Sequence, residues 1–263
     1  MNKRPIGIFD SGVGGLTVLR EIERALPGEN LVYFGDTARV PYGNKSRSTV
    51  IKFSRQSVKF LLSKKVKAIV VACNTSSALA LDNLKVSFKI PIVGVIEAGV
   101  KKAITASTNN KIAVIGTKST IASRSYEKEI TKRDSQVKVY SQSCPLFVPL
   151  AEEGILRGKI VNDIIKMYLG KIKAKKVGVV ILGCTHYPLL KAEISKYLKG
   201  VTVIDSARAV ALYTKELLAN KRLLNSGRGA RKEFYVSDQP ASFSKSAKLF
   251  LKREITKPRI ANA

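Results

Sequence analysis

Apolar positions along the chain fall into two alternating patterns. Short, largely apolar runs predict strands at Ile6–Phe9, Leu31–Phe34, Ala68–Ala72, Ile92–Val95, Ile112–Ile115, Val137–Tyr140, Val177–Leu182, Val201–Ile204 and Glu233–Val236. Between them, apolar residues recur at helical spacing over Leu16–Leu26, Ser46–Leu62, Ser119–Ile130, Val161–Leu169, Leu189–Leu198 and Ala207–Leu218. Runs such as Ala68-Ile69-Val70-Val71-Ala72 lack the polar alternation of a sheet with one wet face. Strands covered on both faces read this way, which predicts parallel sheets flanked by helices in an α/β fold. In such a fold ligands bind beyond the carboxyl ends of the strands.

The pattern also repeats. Ala68-Ile69-Val70-Val71-Ala72-Cys73-Asn74-Thr75 resembles Val179-Val180-Ile181-Leu182-Gly183-Cys184-Thr185-His186, each a buried run ending in Cys and small polar residues. The two thiols lie 111 residues apart, which suggests two similar lobes facing one cleft. The expected division is residues 1–97 plus 207–263 for the lobe with Cys73, and residues 98–206 for the lobe with Cys184.

Composition narrows the class. An apolar fraction of 45% over 263 residues excludes a disordered chain and is enough for two cores. Three cysteines, an odd number, fit free thiols in a reducing compartment better than a disulfide framework. No stretch approaches the roughly 20 apolar residues of a membrane span, and Met1-Asn2-Lys3-Arg4-Pro5 does not read as a signal peptide. A cytoplasmic protein is expected, with no membrane partner. The formal charge of +28 is the anomaly, and it is spread along the chain rather than gathered in an arm. Such a surface raises the encounter rate of small anions and binds nucleic acid non-specifically at low salt.

Four polar clusters follow predicted strands and can converge on one pocket: Asp10-Ser11-Gly12, Asp36 to Gly43, Cys73-Asn74-Thr75-Ser76 and Cys184-Thr185-His186-Tyr187-Pro188. Asp10 to Gly15 lacks both the phosphate-loop and the dinucleotide glycine spacings, so a nucleotide site is not expected. Either cysteine alone reads as a small buried residue. Two of them, each after a buried strand and beside Thr, point instead to reactive thiols whose pKa a helix N-terminus lowers. A zinc site is the other use of Cys73, Cys184 and His186. With one His and no Cys-x-x-Cys in the chain, no metal is expected. Cys144 reads as packing, His186 as an acid/base partner of Cys184, and Glu152-Glu153 taken alone as a solvated helix end.

With these clusters in order, the chain resembles the glutamate racemases of the aspartate/glutamate racemase superfamily. The resemblance rests on Phe9-Asp10-Ser11-Gly12-Val13-Gly14-Gly15-Leu16, on Tyr33 to Gly43, on Ala72-Cys73-Asn74-Thr75, on Cys144 to Leu150, and on Leu182 to Leu190. It spans essentially the whole chain. It implies a cofactor-independent enzyme that interconverts L- and D-glutamate and supplies D-glutamate for peptidoglycan. Cys73 and Cys184 then take and return the Cα proton from opposite faces, assisted by Asp10, Glu152 and His186. Asp10, Ser11, Pro41, Tyr42, Gly43, Asn74, Thr75, Thr185 and His186 fall on substrate-holding positions, and Thr117 with Thr120 resembles a carboxylate-contacting pair. A homodimer is the implied assembly. Aspartate racemases share the thiols but not the Tyr33 to Gly43 run. The alternatives are another amino-acid racemase of the superfamily, a basic nucleic-acid-binding protein on the same fold, or a thiol-dependent hydrolase or metal enzyme. Neither the resemblance nor the pattern accounts for the high charge.

Overall fold

The computed structural model describes residues 2–225, 227 and 229–261. Its strands are β1 (Ile6–Asp10), β2 (Leu31–Gly35), β3 (Ala68–Val71), β4 (Ile92–Gly94), β5 (Lys111–Gly116), β6 (Lys138–Ser143), β7 (Val179–Gly183), β8 (Thr202–Asp205), β9 (Lys232–Val236) and β10 (Arg259–Ile260). They form a six-stranded sheet in the order β10-β9-β2-β1-β3-β4 and a four-stranded sheet in the order β6-β5-β7-β8. Every pairing is parallel. β1, β2 and β7 are buried at every residue, as unbroken apolar strands with helices on both faces must be. β6 lies at an edge and has no fully buried residue, which matches its alternation of polar and apolar side chains.

Three helices form a layer shared by the two sheets. Val95–Ala106 carries the chain from β4 into the second lobe, Ser206–Asn220 brings it back from β8, and Leu16–Ala25 packs against the latter. One apolar cluster runs through them, from Ile6, Ile8 and Val70 on the first sheet to Val114, Val179 and Ile181 on the second. The outer faces are closed separately. Helix Arg47–Ser63 covers Phe34 and Ile69 of the first sheet, and helix Lys159–Ala174 covers Ile115 and Val180 of the second. Burying a side chain of this size is worth about 1.5–3 kcal/mol, so the shared layer holds the lobes together.

Several elements depart from the sequence pattern. The helix expected over Ser119–Ile130 is two helices, Lys118–Ala122 and Ser125–Arg133, because Arg124 adopts a left-handed conformation with φ of 54°. At that break the Ser125 hydroxyl donates to the Ala78 carbonyl of the first lobe at 2.8 Å. The strand expected to reach Val95 ends at Gly94, and Val95 starts the crossover helix. That helix escaped notice because its buried face includes Ala98, Gly99 and Ala103, which give little apolar contrast. Helix Pro240–Leu251 likewise lies outside the apolar pattern, although proline at its first position is a start signal. β9 and β10 extend the first sheet beside β2.

Candidate active site

Loops that follow β1, β2 and β3 in the first lobe and β5, β6 and β7 in the second line one cavity of about 340 Å³. Because parallel strands end together, a side chain placed just after each strand reaches the same space. Cys73 and Cys184 both border it, one from each lobe, and are 5% and 6% exposed, so their sulfurs are approached through the cavity. Ser11, Pro41, Tyr42, Gly43, Asn74, Thr75, Thr117, Glu152, Thr185 and His186 also line it.

Asp10 and Thr120 do not. Asp10 is fully buried behind Ser11, accepting from the Gly12 amide at 3.1 Å and from the Thr185 hydroxyl at 3.4 Å. Thr120 is the corner away from the cavity in a triangle of hydroxyls in which Thr75 and Thr117 are 3.0 Å apart and Thr120 is 3.2 Å and 2.9 Å from them. Thr75 belongs to the first lobe and the other two to the second, so the triangle pins the lobes together at the cavity wall.

The glycines of Gly12-Val13-Gly14-Gly15 have a packing reason. A Cβ on Gly14 would lie 2.5 Å from His186 Cε1, so only glycine lets this loop touch the Thr185-His186 loop. Gly43 repeats the logic, since a Cβ there would lie 2.7 Å from Thr117 Cβ. Close approach of the lobes explains Gly14 and Gly43, whereas Gly15 is pressed against Asp10 and Tyr33 of its own lobe.

The two thiols have different surroundings. Cys73 caps helix Asn74–Leu79, its Sγ accepting from the Ser76 amide at 3.4 Å, with the Ser11 hydroxyl 3.7 Å away. The expected lowering of its pKa by the helix end does not win. Burial, reinforced by the charge of Asp10, pushes the Cys73 thiol up to about 11. Burial likewise raises Asp10 itself, against the bonds from Gly12 and Thr185. Cys184 caps no α-helix, and its Sγ instead faces His186 Nδ1 at 3.7 Å. The other ring nitrogen, Nε2, is 2.9 Å from Glu152 Oε1. Burial opposes a charged His186, but its bonds to Cys184 and Glu152 outweigh burial and raise it to about 10. A cation at His186 is therefore held between a sulfur and a carboxylate. Cys144 is fully buried outside the cavity, as packing predicts, and its carbonyl accepts from the Tyr187 hydroxyl at 2.8 Å.

Sequence reasoning passed over other lining residues: Val40, Asn44, Lys118, Pro145, Val148 and Pro149. Lys118 sits between Thr117 and Thr120, and the prolines sit in the stretch after Cys144, so neighbouring candidates were the available signal. Among the described residues, no group of three or more His, Cys, Asp or Glu side chains is arranged to hold a metal ion. No helix among them is long and apolar enough to cross a membrane.

Two thiols, one from each lobe, thus border one cavity together with hydroxyls and amides. The family model for Asp/Glu/Hydantoin racemase matches residues 6–214. A glutamate racemase of Persephonella marina is 49% identical over 250 residues, which cover 95% of this chain and 94% of that protein. The crystal structure of glutamate racemase from Francisella tularensis in complex with D-glutamate superposes with a TM-score of 0.93 at 41% identity, covering 100% of this chain and 98% of that one. A glutamate racemase isoform from Bacillus anthracis superposes with a TM-score of 0.96 at 38% identity and the same coverage.

Proposed function

Since the chain belongs to the Asp/Glu/Hydantoin racemase family and is an amino-acid racemase, we propose that it interconverts L- and D-glutamate by a two-thiol mechanism that needs no cofactor. In this reading the substrate Cα lies between Cys73 and Cys184. One sulfur, as thiolate, removes the Cα proton. The other, as thiol, delivers a proton to the opposite face, and the product enantiomer leaves with the roles exchanged. The carbanion-like intermediate carries its charge into the α-carboxylate. Asn74, Thr75 and Thr185 on the cavity wall are of the chemical types to hold that carboxylate throughout the reaction. His186 exchanges a proton with Cys184 and is itself held by Glu152. Asp10 acts on the other side, through Cys73 and the Thr185 hydroxyl.

One observation carries the reading: the two cysteines approach a single cavity from different lobes. The cavity volume lies at the small end of the roughly 300–1,000 Å³ of ligand sites, which suits an amino acid. Glutamate as substrate is supported by the relatives, one of which was crystallised with D-glutamate. Supply of D-glutamate for peptidoglycan is the role that this activity would serve.

Circular dichroism of L-glutamate, D-glutamate and L-aspartate, each incubated with the purified chain, tests the proposal. Both glutamate enantiomers should lose their signal towards zero, and in D₂O the product should carry deuterium at Cα. Loss of signal with aspartate alone, or inversion with full retention of the Cα proton, would overturn it.

A further inference from the structure

Asn74 lines the cavity from the first lobe, but its amide is oriented from the second. Tyr126, in helix Ser125–Arg133, is 3% exposed, and its hydroxyl donates to Asn74 Oδ1 at 2.6 Å. The Ser206 hydroxyl, at the start of the helix returning to the first lobe, is 3.4 Å from the same phenol oxygen. The short distance is that of an O–H···O bond, whereas an amide N–H donor to the phenol would stand nearer 2.9–3.0 Å. Burial also pushes the Tyr126 phenol well above its ordinary pKa, so it keeps its proton and remains a donor. A phenol has one proton to give. With Oδ1 turned to the phenol, the two Nδ2 protons are what the amide turns towards the cavity.

The ring of Tyr126 is fixed by the second thiol loop. It packs over Gly183, the residue before Cys184, where an added Cβ would lie 3.2 Å from Tyr126 Cε2. The same phenol therefore touches the loop that carries Cys184 and orients the residue that follows Cys73.

We propose that Tyr126 is a positioning residue: it pins the Asn74 amide so that Nδ2 donates to a substrate carboxylate, and it completes that grip only when the two lobes are docked. This rests on the reading of the cavity as an amino-acid racemase site. The carboxylate is common to both enantiomers, so the effect falls on binding of either one. Chemistry at the sulfurs is affected less.

Racemisation kinetics of Tyr126→Phe in both directions, with and without Asn74→Ala, test this. Loss of one buried hydrogen bond corresponds to roughly a three- to tenfold effect. KM for L- and D-glutamate should therefore rise by about that factor, with kcat changed less than about twofold. In the Asn74→Ala background the same change should add almost nothing, because the coupled partner is already gone. An equal rise of KM in both backgrounds would mean that the hydroxyl serves the fold alone, and would overturn the inference. Asn74→Asp provides a second arm should Tyr126→Phe fail to fold. Its carboxylate still accepts from Tyr126 but offers no donor to the cavity, so KM should rise more than about tenfold, and wild-type saturation would equally overturn the inference. The controls separate the two readings. A wild-type chain that racemises no amino acid defeats the racemase reading, whereas an active wild type with an unchanged Tyr126→Phe defeats this inference alone.

Discussion

Cys73 and Cys184 occupy the same place in two lobes, and they are controlled by different chemistry. Each follows a parallel strand buried at every residue and precedes a polar residue on the cavity wall. Around Cys73 stand a helix amide, a hydroxyl and a buried carboxylate, and the net result is a thiol that holds its proton. Around Cys184 stands an imidazole whose bonds to Cys184 itself and to Glu152 favour its cationic form. The pseudo-symmetry of the strands brings both thiols to one cavity. The asymmetry of the surroundings gives each sulfur its own means of holding or losing a proton. A racemase has to work equally well in both directions overall, but nothing in the proposed mechanism requires the two thiols to be tuned alike.

The largest effects come from removing one sulfur at a time. Cys73→Ala and Cys184→Ala should each lower racemisation of both enantiomers by at least about 10³-fold, within the range ascribed to positioned acid/base groups. Hydrogen exchange then sharpens the comparison. Each variant keeps one sulfur able to remove and return a proton on one face, so each should retain Cα exchange in D₂O for one enantiomer, and the two variants should differ in which. Proton NMR of each enantiomer in D₂O reads this directly. Exchange of the same enantiomer by both variants would show that the sulfurs do not face opposite sides.

The sites were legible in the sequence where they depended on local order. A buried run, then Cys, then small polar residues gave both thiol loops, and clusters after strands gave Ser11, Tyr42, Gly43 and Thr75 because parallel strands end together. What the local pattern could not give depends on contacts between residues far apart in the chain and on depth of burial. Glu152 reads as a solvated helix end until His186, 34 residues later, is seen 2.9 Å away. Asp10 looks like a cavity residue, but the polypeptide turns over it at Ser11, so it acts from behind the wall. The lowered thiol pKa expected of a helix end failed at Cys73 because periodicity reveals a helix start but neither the depth of burial nor the nearby carboxylate. Tyr126 gave no signal of its own, since its bond to Asn74 exists only where a second-lobe residue meets a first-lobe one.

An intermediate effect separates the two surroundings. Glu152→Gln keeps an oxygen acceptor for His186 Nε2 but removes the charge. Since Glu152 is among the groups that raise His186, its loss must lower that pKa. The imidazolium is then lost at lower pH, and the alkaline limb of kcat/KM, which reports the free enzyme, should move down by roughly one pH unit. Stability follows the same sign. A His raised to about 10 from an unfolded value near 6.5 contributes stability that is full below the lower value and lost as pH climbs through the higher one. The variant should show a smaller alkaline loss of urea-unfolding free energy than wild type. An alkaline limb unmoved, or moved upward, would break the pairing of His186 with Glu152.

The smallest effect belongs to the third thiol. Cys144 lies in the same apolar cluster as Cys184, yet it is fully buried, does not reach the cavity and makes only a 3.7 Å contact from its Sγ to the Gln142 carbonyl. Burial raises its pKa further above the ordinary thiol range than that of Cys73. It therefore stays a neutral packing group. Cys144→Ala removes one buried sulfur and should cost about 1 kcal/mol in urea unfolding, while racemisation stays within about twofold of wild type. If its activity instead fell as far as that of Cys184→Ala, residence at a strand end beside a cavity would be enough to make a thiol matter, and the distinction between a sulfur that borders the cavity and one sealed behind it would not hold.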